Sequence, residues 1–202
     1  MNTKQRGFTV LELMFAIALL AVLVGIGVPA LRDFVRNSRM VAASNDIITD
    51  FNLARSEAVK RRVAVTLCKS QNLETCDADD EDPFRSWIVF VDDADPAVID
   101  ANDGNGEVDD DEVILRRRSL PETITVVTAG DQIRSTFLPS GFPAVETERV
   151  AQMLLCDERG NVAAAGGNSA ARGVEILPTG RPSVFRDVGT VASYESALGD
   201  CP

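Results

Sequence analysis

The 202-residue chain reads as an α+β protein, with one long N-terminal helix, transmembrane then amphipathic, packed on a β-rich C-terminal head of antiparallel sheets. Three observations predict this. Phe8 to Leu31 is an apolar run whose one charge is Glu12. From Arg32 to about Arg62 apolar residues recur at helical spacing with no proline between them. Beyond Arg62 the period shortens, and runs rich in Val, Ile and Thr alternate with Gly, Pro and Asp clusters. The boundaries that follow are a leader at 1–7, a transmembrane segment at 8–31, its amphipathic continuation at 32–62 and a globular head at 63–202.

The leader, MNTKQRG, is polar and carries Lys4 and Arg6. As a helix, the run FTVLELMFAIALLAVLVGIGVPAL would extend roughly 36 Å, enough to cross a hydrocarbon core of about 30 Å. It is hydrophobic all round and therefore needs lipid or other helices on every side. An ordinary signal peptide would place small residues and its cleavage site after this run. Gly25 and Gly27 come near that pattern, but Val28-Pro29 is a poor exit, and no cysteine follows for lipid attachment. Glu12 is the anomaly, because an unpaired carboxylate in a membrane-length helix costs several kcal/mol. Pro29 removes a helix hydrogen bond and clashes four residues back, so a bend or local unwinding is expected there, with Gly25 and Gly27 softening the approach.

In the second part of the helix Met40, Ile47, Phe51, Ala54 and Ala58 define an apolar face, with Asn37, Asn45, Asn52 and several Arg between them. A single helix from Phe8 to near Arg62, interrupted only around Pro29, is the economical reading. The strand candidates are RVAVTLC, SWIVFV, EVILRRR, TITVVT, IRSTFL, VAQMLLC and GVEILP. They show no internal repeat, which excludes a solenoid.

Composition narrows the function. Twenty Lys+Arg against 31 Asp+Glu leave a net charge of -11, which argues against gripping nucleic acid through the whole surface. There is no histidine, so Ser-His and Cys-His mechanisms and most metal sites fall away. Aromatics make up 5% of the chain, too few for a broad base-stacking platform. The chain is expected not to be an enzyme, and no cofactor or metal is expected. The acidic run Asp79, Asp80, Glu81 and Asp82 reads as solvated surface. Laid on an EF-hand loop, Asp103, Asn105, Gly106, Val108, Asp109 and Glu112 fall at suitable places, but Ala101 stands where the loop requires an acid. A solvated hairpin loop is the preferred reading, with calcium binding as the alternative. Arg116, Arg117 and Arg118 lie in a probable strand, the outer two on one face, and basic residues on an edge strand usually block aggregation. ILPTG at 176–180 is similar to a sortase signal but lacks one residue and a hydrophobic tail, so it reads as a strand-ending turn.

Four cysteines allow three pairings. Cys68 and Cys76 lie across a short polar loop, which suits a local bridge. Cys156 ends a strand, and a bridge from it to Cys201 would pin an otherwise frayed tail. Free buried thiols are the alternative. Disulfides suit an oxidising compartment, which places the head outside the cytoplasm, although Arg32, Arg36 and Arg39 put basic residues on both flanks of the span.

The stretch RGFTVLELMFAIALLAVLVGIGVP resembles the class III signal of type IV pilins and type II secretion pseudopilins: a short basic leader ending in Gly7, then Phe8, then Glu12, then an unbroken apolar helix. The resemblance implies that a prepilin peptidase cuts between Gly7 and Phe8 and methylates the new N-terminus at Phe8. It also implies an inner-membrane, single-pass subunit with a periplasmic head, incorporated into a pilus or pseudopilus beside other minor and major pilins or pseudopilins. Glu12 of one copy can then meet the freed amine of a neighbour and set the axial register, while apolar helices supply cohesion. Within the head, VTLCKS at 65–70, Cys76, the Trp87 to Asp92 run, VILR, LLCDERG at 154–160 and Gly180-Arg181 resemble the GspH/FimT branch of minor pilins. That branch implies two antiparallel sheets on the helix and a role in filament initiation or at its tip. Some FimT-like members bind DNA for natural transformation through a GRxR element. This chain keeps Arg181, has Ser183 at the second position and carries Arg186 nearby, so DNA is the alternative partner. Pilus and secretion system share this signal and are not separated by it.

Overall fold

The computed structural model describes residues 8–77, 84–92, 106–108, 112–129, 132–144, 150–163 and 166–201. Gly7, the acidic run at 79–82 and the loop positions Ala101, Asp103, Asn105 and Asp109 lie outside the described residues. Two compact units are distinguished, Met1–Arg39 and Met40–Pro202. Helix α1 (Val10–Arg61) contributes to both.

In the first unit the helix continues without interruption through Pro29. The local unwinding expected there does not occur. The carbonyl that the proline ring crowds belongs to Gly25, which has open space around it and no side chain of its own to accommodate, so one hydrogen bond is lost and the helix goes on.

The second unit is organised by one face of α1. Met40, Ala43, Ile47, Phe51, Ala54 and Ala58 are all buried, at steps of three and four that keep them on one stripe. Among the described residues eight strands follow: β1 (Val65–Lys69), β2 (Ser86–Val91), β3 (Ile114–Ser119), β4 (Thr125–Thr128), β5 (Arg134–Phe137), β6 (Gln152–Cys156), β7 (Asn168–Ile176) and β8 (Pro182–Asp187). They form two four-stranded sheets ordered β3-β2-β1-β5 and β4-β6-β7-β8, antiparallel throughout. Strand alternation sends Val65, Leu67, Trp87 and Val89 of the first sheet, and Val126, Met153, Leu155, Val174 and Ile176 of the second, into one core with the helix stripe. Phe51 meets Phe137 edge-on at 6.3 Å between ring centres.

Each sheet also has an apolar outer face with its own cover. On the first, Cys68, Ile88 and Phe90 lie under Leu73, Cys76 and Val108. On the second, Leu154, Cys156 and Ala171 lie under Val191, Tyr194 and Leu198 of helix α2 (Val188–Leu198). Neither α2 nor β8 was among the elements expected from sequence. The signals were present: Asp187 caps α2 by accepting from Thr190 N–H at 2.9 Å, Val191, Tyr194 and Leu198 keep helical spacing, and Gly199 ends the helix.

Two hairpin turns share the pattern Leu-Pro-Ser/Thr-Gly. Leu138 and Leu177 each accept from the glycine three residues on and donate to the residue after it. Gly141 and Gly180 hold φ of 78° and 77°, the left-handed position of a three-residue hairpin loop. The ILPTG segment is thus a turn between β7 and β8. The two turns pack together so closely that a Cβ on Gly180 would lie 2.7 Å from the Gly141 carbonyl oxygen.

Gly173 is needed for a different reason. It pairs with Phe185 across β7 and β8, and a Cβ there would lie 2.1 Å from the Phe185 ring, which is held edge-on by Tyr194 at 4.7 Å. Gly173→Ala is expected to displace the ring and cost about 1–3 kcal/mol. Adding Phe185→Leu should recover part of that loss in thermal unfolding followed by circular dichroism.

Candidate functional site

At the N-terminal end, Thr9 caps α1. Its hydroxyl accepts from Glu12 N–H at 3.2 Å and its carbonyl from Leu13 N–H at 3.1 Å. Thr9-Val10-Leu11-Glu12 therefore has the spacing of a capping box, a signal that reading Glu12 only as an intramembrane acid overlooks. The acid also sits in the first turn, where the positive end of the helix dipole favours it. Phe8, just ahead of the helix, is 82% exposed. From Val10 through Leu31 the large apolar side chains are exposed on every side, and none of the membrane-length apolar window is buried. Gly25 and Gly27 have nothing near them. Such a rod has one chemical capacity, which is to be covered by lipid or by other apolar helices.

The head holds a buried carboxylate that sequence reading missed. Asp50 of α1 is fully buried and accepts from Trp87 Nε1 at 2.9 Å and from Arg118 Nε and Nη2 at 2.9 and 3.2 Å. Arg116 stands 3.7 Å from it, and Arg118 also meets Asp46 at 3.1 Å. The hydrogen bond to Asp50, ahead of any other cause, holds the Arg118 guanidinium above its ordinary range, with burial opposing. Arg116 and Arg118 do share a face, while Arg117 turns elsewhere and donates to Leu73 O at 2.8 Å. The triplet does more than block a sheet edge, however. The pairing of Arg118 with Trp87 across β2 and β3 delivers the guanidinium to an acid that the indole already holds. The available signal was Asp46 and Asp50, one turn apart beside the apolar stripe.

Other expected positions serve the head's own structure. Asp92 is buried, receives a hydrogen bond from Thr66 and accepts Gly106 N–H at 3.1 Å; Val108 packs on the outer cluster of the first sheet. Among the described residues no group of three or more side chains could hold a metal ion. Cys68 is bonded to Cys76 and Cys156 to Cys201, with Cα–Cα separations of 5.6 Å in each, and each bridge joins a buried cysteine of an outer-face cluster to one packed against it. Arg181 precedes β8 and Arg186 lies near its far end, both exposed. Five residue steps along the extended chain separate them by about 17 Å and leave them on opposite faces, so the structure does not bring the two together.

The family model described as type II transport protein GspH matches residues 43–180. This chain belongs to the GspH family. A model of the prokaryotic N-terminal methylation motif matches residues 2–28 of this GspH-family chain. Prepilin peptidase-dependent protein D of Escherichia coli (strain K12) is 41% identical over 76 residues, which is 37% of the chain and 44% of that protein; the chain thus spans less than half the length of that relative. Two crystal structures of the type IV minor pilin FimU from Pseudomonas aeruginosa (strain PAO1) are similar at TM-scores of 0.43 and 0.45. They are 16% and 15% identical, covering 71% and 77% of the chain and 90% and 94% of FimU.

For this GspH-family head, Asp50→Ala strands the Arg118 and Trp87 donors and should cost about 2–4 kcal/mol, read by thermal unfolding of the detergent-solubilised chain. The bridges should rank by loop length. The separation is 45 residues between Cys156 and Cys201 and 8 between Cys68 and Cys76. Replacing the first pair by serine should therefore destabilise more, by about 4 against about 2.5 kcal/mol in the chain-entropy limit. The reverse ranking would show that cover packing, not chain entropy, dominates.

Proposed function

We propose that this pilin-type subunit is a minor pilin or pseudopilin acting at the initiation or tip of a type IV pilus or type II secretion pseudopilus. In this reading residues 1–7 are a leader removed by a prepilin peptidase between Gly7 and Phe8, and Phe8 becomes the methylated N-terminus. Residues 8–31 anchor the chain in the inner membrane and later in the filament, with 32–62 continuing the helix and 63–202 forming a periplasmic head. The observation that carries it is the combination at the N-terminus. A methylation motif matched over residues 2–28 coincides with an apolar helix that has no cover of its own and one acid in its first turn.

Cleavage would leave an amine at Phe8 beside the positive end of the helix dipole, an unfavourable place for a cation. A carboxylate from Glu12 of a neighbouring copy relieves that and fixes the axial offset between helices. Pro29, with its missing hydrogen bond, gives the packed helix one point of lower bending stiffness. The alternative of DNA capture for uptake draws less support, because Arg181 and Arg186 diverge along β8 and the chain as a whole is acidic.

Two substitutions separate the roles of Glu12. Glu12→Gln keeps a residue that suits a capping box but removes the charge, whereas Glu12→Ala removes both. Both variants should be trimmed normally on immunoblots. Incorporation into sheared filaments should drop at least about tenfold, the effect of some 1.4 kcal/mol of lost register energy. Normal incorporation of the glutamine variant would refute the charge-pair role. A bulky replacement of Gly7 should instead block trimming.

A further inference from the structure

The free edge of the second sheet has the attributes of an acceptor strand. β8 is terminal in the order β4-β6-β7-β8, and no described residue pairs with its outer side. The preceding hairpin determines which backbone groups look outward. Leu177 N–H donates to Arg181 O at 3.1 Å, so alternation assigns Glu175–Ser183 and Gly173–Phe185 to the hydrogen-bonded pairs of the ladder. Val184 and Arg186 then turn their N–H and C=O groups to the open edge. Pro182 points the same way, where its missing N–H costs nothing. Val184 is 38% exposed.

Behind this edge lies a local excess of positive charge. Past the Gly173–Phe185 pair the register shifts, and Arg172 of β7 lies close enough to Arg186 for the two charges to act on one another. Arg172 is only 6% exposed. Its hydrogen bonds to described residues all leave from Nη1, to the carbonyls of Ser169, Ala170 and Ala171 at 2.6, 3.2 and 2.9 Å. Burial first, then the charges of Arg186 and Arg159, pull this guanidinium below its ordinary range, and Asp157 offsets only part of the effect. Asp157 is itself held by Arg159 at 2.6 Å. Arg186 is exposed and makes no hydrogen bond or ion pair with a described residue. A buried cation beside a solvent-facing one favours an anion close by. In a chain of net charge -11 carboxylates are the abundant anion, and a nucleic-acid backbone would have to approach against that field.

We propose that the β8 edge, with Arg186 and Arg172 behind it, is a docking strip for an extended acidic segment of a neighbouring subunit, added to the second sheet as a further strand. The proposal rests on the filament-subunit reading. The incoming backbone pairs with Val184 and Arg186, and a carboxylate on the face that these two residues share takes charge-assisted bonds from the arginines.

The test uses the full chain in detergent and a fluorescent synthetic peptide of alternating valine and glutamate, with an alternating valine and lysine peptide as control. The acidic peptide should bind, more weakly as salt rises. Arg186→Glu should weaken binding by about tenfold or more. Val184→Pro, which removes an outward N–H and no ladder bond, should weaken it as well, with both variants checked by thermal unfolding. Equal binding of the lysine peptide, unaltered affinity in both variants, or binding of a single-stranded oligonucleotide in place of the acidic peptide would each overturn the proposal. Because unassembled chain is measured, failure here alongside Glu12-dependent incorporation would remove the strip and leave the subunit reading intact.

Discussion

Two sheets present four broad faces, and one helix stripe can cover only two of them. That constraint orders the head. The stripe from Met40 to Ala58 closes the inner faces into a common core, which leaves Ile88 and Phe90 on one outer face and Leu154 and Ala171 on the other. Exposed, such faces would be sites of association. The chain solves the problem twice with different means, a looped segment around Leu73 for the first sheet and helix α2 for the second. A disulfide joins each cover to the strand beneath it. Covers this small bury little apolar area, so a covalent tie is a physically reasonable supplement to packing.

The second organising element is the carboxylate of Asp50. A helix stripe against a sheet can slide or rotate at modest cost, because apolar contacts are non-directional. Hydrogen bonds from an indole and a guanidinium are directional, and they arrive from adjacent strands. The acid is buried, so losing either partner leaves a charge without adequate compensation. The network therefore ties α1 to β2 and β3 at one registered point, while Phe51 and Phe137 supply bulk farther along the stripe.

Much of this was legible from residues alone, for identifiable reasons. The helix stripe was visible because its spacing is regular and no proline interrupts it. Most strands were visible because Val, Ile and Thr cluster between turn residues. Which strands share a sheet was not visible, since β4 belongs to the second sheet yet lies in sequence between β3 and β5 of the first. Helix α2 escaped notice because Val191 is its one fully buried residue, so its periodicity is faint beside its capping signals. At the N-terminus, Phe8 and Glu12 stood out because an acid in an apolar run is costly. Thr9 did not, because a cap is recognised by what it does for the next turn. Asp50 was hidden by the expectation that acids on an amphipathic helix face water; its burial depends on two arginines that come from far along the chain.

The unequal spans of the two bridges imply an order of events as the polypeptide emerges. Cys76 follows Cys68 by 8 residues, so the first sheet can be sealed soon after β1 and β2 meet. Cys201 follows Cys156 by 45 residues, and β7, β8 and α2 must all be made before it can reach β6. During that interval Leu154 and Ala171 have no lid. A chain halted in this window would carry one finished side and one adhesive side, which makes the last stretch of synthesis the period when the head most needs shielding from its neighbours.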